Sequence, residues 1–99
     1  MMMEVHIISR RTGQLVGAFA LGDEAEVLVG RDASCDIHLN AATVSREHCV
    51  IERVDGNLRL RDLGSTGGTR CGGREIDDVR VENGLEVEIG PALLRFIED

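Results

Sequence analysis

The chain has 99 residues with two phenylalanines and no tryptophan or tyrosine, so its core is aliphatic and of single-domain size. A hydrophobic share of 42% excludes a disordered tail, and a net charge of −7 argues against nucleic acid as a partner. No apolar run approaches the roughly 20 residues that cross a bilayer. Glu4 and His6 interrupt any signal-peptide core at the start. The expectation is a cytoplasmic protein with no membrane partner.

Apolar and polar residues alternate along most of the chain. Residues 4–9 (EVHIIS) and 15–20 (LVGAFA) flank RRTGQ and predict a hairpin. Residues 26–30 (EVLVG) predict a third strand after Gly22-Asp23. A long polar stretch follows, GRDASCDIHLNAATVSREHCVIE, from Gly30 to Glu52. It holds a short expected strand at 37–39 and runs into HCVIERV at 48–54. Asp55-Gly56-Asn57 then turns the chain into LRLRD at 58–62, where Leu58 and Leu60 alternate with Arg59 and Arg61. A glycine-rich loop, LGSTGGT, occupies 63–69. Short strands are expected at 74–76 and 79–81; Asn83-Gly84 turns the chain into 85–90, and 92–98 closes it. No window sustains a 3.6-residue apolar period, so no helix is expected. Many short strands joined by turns predict an all-β chain, an antiparallel β-sandwich forming one domain over residues 1–99. In such a fold the loops gather at the ends and carry function.

Charge is uneven. Residues 1–30 carry −2, residues 31–75 carry zero and residues 76–99 carry −5. The polar loops are thus the least acidic part of the chain, which suits an anionic ligand. All 11 basic residues are arginines. The three cysteines, Cys35, Cys49 and Cys71, are an odd number without a CxxC pair, so a disulfide framework is not expected. Their spacing to His6, His38 and His48 matches no zinc pattern, and no metal or cofactor is expected. Cys49 reads as a small core residue.

Three groups remain for chemistry: Gly30-Arg31, Ser45-Arg46-Glu47-His48 and Gly64-Ser65-Thr66-Gly67-Gly68-Thr69. In this order and at these separations they resemble the forkhead-associated (FHA) domain, over roughly Val27 to Phe96. The resemblance implies a sandwich of about eleven strands that reads phosphothreonine peptides through loops at one end. It places Arg31 and Ser45 on the phosphate, Arg46 beside the phosphate or the peptide backbone, and Thr66 along the pocket for the threonine methyl. It makes Gly30, His48 and Gly68 supports of the binding loops. Gly67 departs from the pattern, since the family usually has Asn before the second glycine of the last motif. That Asn pairs with the peptide main chain, and its loss removes about 1–3 kcal/mol of hydrogen bonding.

The chemistry of these residues leads to the same reading. Phosphothreonine carries about −1.5 to −2 charges and three strong acceptor oxygens. Arginine presents a permanent charge on a planar fork that matches an oxyanion. A hydroxyl and loop N–H groups complete the oxygen shell. Ser45, His48 and Asp62 can be written as a triad, but no G-x-S-x-G elbow is present and GSTGGT lacks the lysine of a P-loop, so binding rather than catalysis is expected. The expected partner is a phosphothreonine protein bound in trans by a monomer. The alternative, which Gly67 favours, is a degenerate domain that joins a partner or another copy of itself without phosphate.

Overall fold

The computed structural model describes residues 2–24 and 26–99, and its elements follow the turn signals closely. The eleven strands are β1 (Met3–Ser9), β2 (Leu15–Leu21), β3 (Glu26–Gly30), β4 (Ile37–His38), β5 (Cys49–Val54), β6 (Asn57–Asp62), β7 (Arg70–Cys71), β8 (Arg74–Glu75), β9 (Asp78–Arg80), β10 (Glu86–Ile89) and β11 (Ala92–Glu98). They form two sheets, ordered β2-β1-β11-β10-β7-β8 and β4-β3-β5-β6-β9. There is no helix among the described residues.

The alternation seen in the sequence becomes the core. In β11, Ala92, Leu94 and Phe96 point inward, while Leu93, Arg95 and Ile97 between them are half-buried. Val5, Val87 and Ile89 complete that sheet's inner face, and Val29, Ile37, Ile51 and Leu60 meet them from the other sheet. Phe96 is the largest side chain that is fully buried. The β5–β6 hairpin closes through a two-residue turn in which Asp55 (φ 52°) and Gly56 (φ 81°) are both left-handed. That geometry matches the twist of the paired strands and suits Asp-Gly. Asn57, expected in the turn, pairs with Val54 as the first residue of β6.

Two expectations need correction. The sandwich is not wholly antiparallel: β4 runs parallel to β3, with Val29 opposite Ile37 and Gly30 opposite His38. Side-chain alternation carries no information on strand direction, and a two-residue strand offers too little of it in any case. Second, β7 falls at Arg70–Cys71, between the loop expected at 63–69 and the strand expected at 74–76, where no strand was expected; it is defined by pairing with β8 and by Arg70 opposite Glu88 of β10. Nothing local marks it as extended.

The parallel pair has a positional consequence. It returns the chain beside β3 and leaves the β3–β4, β4–β5 and β6–β7 loops in mutual contact at one end. The β10–β11 turn lies against the β4–β5 loop, where a Cβ on Gly90 would sit 2.8 Å from Thr43 Oγ1, and it is tied to the β1–β2 turn by Arg10, which donates its backbone N–H to the Pro91 carbonyl and its side chain to the Gly90 carbonyl. Among the described residues, no helix is long and apolar enough to cross a membrane.

Phe96 fills the centre between the sheets, so Phe96→Ala leaves a cavity. The expected loss is about 3–5 kcal/mol of unfolding free energy, read from urea denaturation; a loss under about 1 kcal/mol would mean the site collapses around the hole.

Candidate functional site

Gly30 ends β3 where the β4–β5 loop passes over it. A Cβ on Gly30 would collide with the Arg46 carbonyl oxygen and lie 2.8 Å from its carbon and 3.0 Å from Cys35 Sγ. Only glycine lets these backbones approach so closely. The approach is bonded as well as close. Arg31 N–H donates to the Ser45 carbonyl at 2.9 Å, and Asp32 N–H and Cys35 Sγ both reach the Arg46 carbonyl, at 3.1 and 3.2 Å. The Ser45–Arg46 segment is therefore held against the end of β3 by its own carbonyls.

His48 ties this segment to the glycine-rich loop. Its ring is fully buried. Nδ1 accepts the Ser45 N–H at 3.1 Å, so the ring proton sits on Nε2, which donates to the Gly68 carbonyl at 2.9 Å. The His48 N–H donates to Val29 of β3, again at 2.9 Å. One neutral imidazole thus spans two loops, with its tautomer set by its partners. Ser45 Oγ makes a second cross-link by accepting the Thr66 N–H at 3.0 Å. Its hydroxyl proton is then left to point outward.

Asp62, at the end of β6, organises the glycine-rich loop. Its carboxylate accepts the N–H groups of Gly64 and Ser65 and the hydroxyls of Ser65 and Thr69, at 2.6 to 3.0 Å. Ser65 Oγ in turn accepts the Gly68 N–H at 3.0 Å. Burial pushes the Asp62 carboxyl up, but the hydroxyls of Ser65 and Thr69 and the two N–H groups outweigh it and hold it below its ordinary value. Sequence reading passed over Asp62, Ser65 and the fully buried Thr69 as structural residues. The signal was present, because an aspartate followed at two and three residues by Gly-Ser is an Asx-turn pattern.

These supports frame an open depression of about 490 Å³ lined by Arg31, Ala42, Thr43, Val44, Ser45, Arg46, Thr66 and Gly67. All five residues singled out for ligand contact therefore meet in one place, and Gly30, His48 and Gly68 lie in the bonded frame behind it. Arg31 Nε donates to the Val44 carbonyl at 2.9 Å, which fixes the guanidinium. Neither Arg31 nor Arg46 has a carboxylate within ion-pair distance among the described residues, whereas Arg10, Arg59, Arg61, Arg70, Arg80 and Arg95 all do. The N–H groups of Ser45 and Thr66 are engaged in holding the loops and do not face the depression. Gly67 adds no side chain to the wall; a Cβ there would sit 3.0 Å from the Thr43 carbonyl oxygen.

The FHA domain family model matches residues 27–90, which span these three loops. The chain belongs to the FHA domain family. Among FHA relatives, it is 36% identical over 88 residues to an oxoglutarate dehydrogenase inhibitor of Corynebacterium diphtheriae, covering 89% of this chain and 62% of that protein. It is 33% identical over 87 residues to the glycogen accumulation regulator GarA of Mycolicibacterium smegmatis, covering 88% of this chain and 55% of the relative. The FHA chain thus spans somewhat over half the length of these relatives. Among solved structures, EmbR of Mycobacterium tuberculosis in complex with a low-affinity phosphopeptide superposes with a TM-score of 0.78 at 26% identity, over 95% of this chain and 24% of that one.

The three cysteines are free thiols, with Cys35 and Cys49 buried. Burial pushes both thiols up, Cys49 far beyond the range in which a thiolate forms near neutral pH; Cys49 packs as an apolar group, while the Cys35 thiol donates to the Arg46 carbonyl. No cluster of three or more metal-ligating side chains occurs among the described residues.

Two outcomes test the frame. Gly30→Ala forces the Arg46 carbonyl away and is expected to cost about 3 kcal/mol, measured by urea denaturation. Asp62→Asn is expected to destabilise by about 1–3 kcal/mol at pH 7. Because the folded carboxyl lies below its unfolded value, near 3.8, the wild-type advantage is complete above that value and fades as pH falls through the depressed folded one. Thermal denaturation of both proteins between pH 7 and pH 2 checks this, and a wild-type advantage that grows on acidification would contradict it.

Proposed function

We propose that this FHA domain binds phosphothreonine peptides of a partner protein in trans, as one sandwich over residues 1–99. Arg31 and Ser45 hold the phosphate, Arg46 lies beside it, and Thr66 lines the pocket for the threonine methyl. Gly67 lies along the peptide, and Gly30, His48 and Gly68 keep the loops in place. The observation that carries the reading is that Arg31 and Arg46, neither with a carboxylate at ion-pair distance among the described residues, line one depression together with Ser45, whose hydroxyl proton is unused, in a chain with net charge −7. Acidic surroundings would ordinarily neutralise such guanidinia; here they are left for an anion from outside. The structure of EmbR with a phosphopeptide supports the ligand class.

The names of the inhibitor and the regulator support a role in controlling other proteins; a phosphothreonine ligand places that role in Ser/Thr-kinase signalling, by binding rather than catalysis. A monomer in the cytoplasm, with no cofactor, nucleic acid or membrane in the interaction, fits this role. Gly67 favours a second reading, a phosphate-independent scaffold that binds a partner or itself, because the side chain that would pair with the peptide main chain is missing.

Fluorescence anisotropy of a degenerate phosphothreonine peptide pool and its unphosphorylated counterpart separates the two. Binding is expected only with phosphate, weakened about 10- to 100-fold by Arg31→Ala, consistent with a charge-assisted hydrogen-bond pair. It should also weaken with added salt, since the arginines are not deeply buried. Equal binding of the two pools would sink the phosphate reading and leave the scaffold.

A further inference from the structure

A second depression adjoins the first, lined by Arg10, Thr43, Gly67, Arg70, Glu88 and Gly90. Thr43 and Gly67 line both depressions and form the saddle between them. Gly67 puts no side chain over that saddle, so the two run together as one groove. Four of the chain's 11 arginines line this groove, Arg31 and Arg46 at one end and Arg10 and Arg70 at the other. Of the 18 acidic residues only Glu88 lines it. Against a net charge of −7 this is a concentrated positive strip.

The far pair is held in place. Arg10 donates Nη1 to the Gly90 carbonyl at 2.8 Å, and Arg70 donates Nη1 to the Gly67 carbonyl at 3.1 Å. Both guanidinia thus lose conformational freedom before any ligand arrives, which lowers the ordering cost of binding. Their carboxylate partners do not saturate them. Glu88 sits 3.4 Å from Arg10, and the exposed Glu75 is 3.8 Å from Arg70. Two cations face one lining carboxylate, and both guanidinium side chains are about half exposed, at 48% and 47%. Arg10 comes from the β1–β2 turn and Arg70 from β7, so neither belongs to the three loops that carry the phosphate residues.

We propose that Arg10 and Arg70 form a second anion subsite, so that the domain selects phosphothreonine peptides carrying a further acidic group on the Gly67 side. This rests on the phosphothreonine reading above. The shared chemistry is a peptide carboxylate from Asp or Glu, or a second phosphate.

The test measures affinities by anisotropy for one neutral-flanked phosphothreonine peptide and for sets carrying a single Asp, or a second phosphothreonine, at each position up to four residues on either side. The ratio of acidic to neutral affinity is the readout. In the wild type it should reach about tenfold at one or two neighbouring positions on one side of the phosphothreonine, the scale of a charge-assisted hydrogen bond. Arg10→Gln with Arg70→Gln, which keeps amide donors for the Gly90 and Gly67 carbonyls, should bring the ratio to about twofold or less. Glu88→Gln should raise it, because the competing carboxylate is gone. A larger gain for the second phosphate than for Asp assigns the subsite to phosphate; equal gains assign it to any anion. A ratio near one at every position, or an advantage unchanged by the double substitution, overturns the subsite and leaves the arginines as ordinary surface ion pairs. Failure of the neutral phosphothreonine peptide to bind is a separate result that overturns both readings.

Discussion

The binding end of this molecule depends on one buried imidazole. His48 accepts from Ser45 and donates to Gly68, so a single side chain fixes the spacing between two loops that are twenty residues apart in sequence. The bond is possible only because Gly30 has no Cβ: that absence lets the Ser45–Arg46 segment settle onto the end of β3. Remove either and the two loops lose their shared reference. The ligand-facing side chains contribute little to this frame; apart from the Arg31 bond to Val44 and the Thr66 N–H accepted by Ser45, it is made by backbone groups and by the side chains of Cys35, His48, Asp62, Ser65 and Thr69.

That division explains why a small aliphatic domain can present a polar site without losing stability. No buried side-chain nitrogen or oxygen lacks a hydrogen bond among the described residues. Asp62 alone satisfies two amides and two hydroxyls. A loop satisfied from within is rigid before it meets a ligand, and rigidity lowers the ordering cost of binding. Of the outward groups, the Ser45 hydroxyl and the Arg31 guanidinium are held in place by their own bonds to Thr66 and Val44.

Electrostatics follows from strand register. On the outer faces, arginines and carboxylates stand on neighbouring strands and pair, as Arg61 does with Glu52, Arg59 with Asp78 and Arg95 with Glu86. Such exposed pairs contribute about 1 kcal/mol or less each. Their larger effect is to cancel charge away from the loops. At the loop end no strand supplies a carboxylate opposite Arg31 or Arg46, and the cationic character survives there. The acidity of the chain as a whole therefore says little about the field at its binding end.

The order of turn signals, the strand alternation and the three motif groups were legible in the residues themselves. Each depends on local chemistry: Asp-Gly adopts a tight turn, alternating Leu and Arg divide a strand into two faces, and arginine, serine and glycine suit an anion whatever surrounds them. The Asx-turn pattern at Asp62 was legible too, though passed over; the parallel direction of β4 and the existence of β7 were not. Strand direction and pairing are settled by contacts between distant segments, and a two-residue strand has no pattern of its own. Tertiary structure alone also decided which arginines keep their charge for a ligand and which are cancelled, because an ion pair across strands is a matter of register. The same holds for the approach of Arg10 to Gly90, eighty residues apart, which only the closed sandwich brings together.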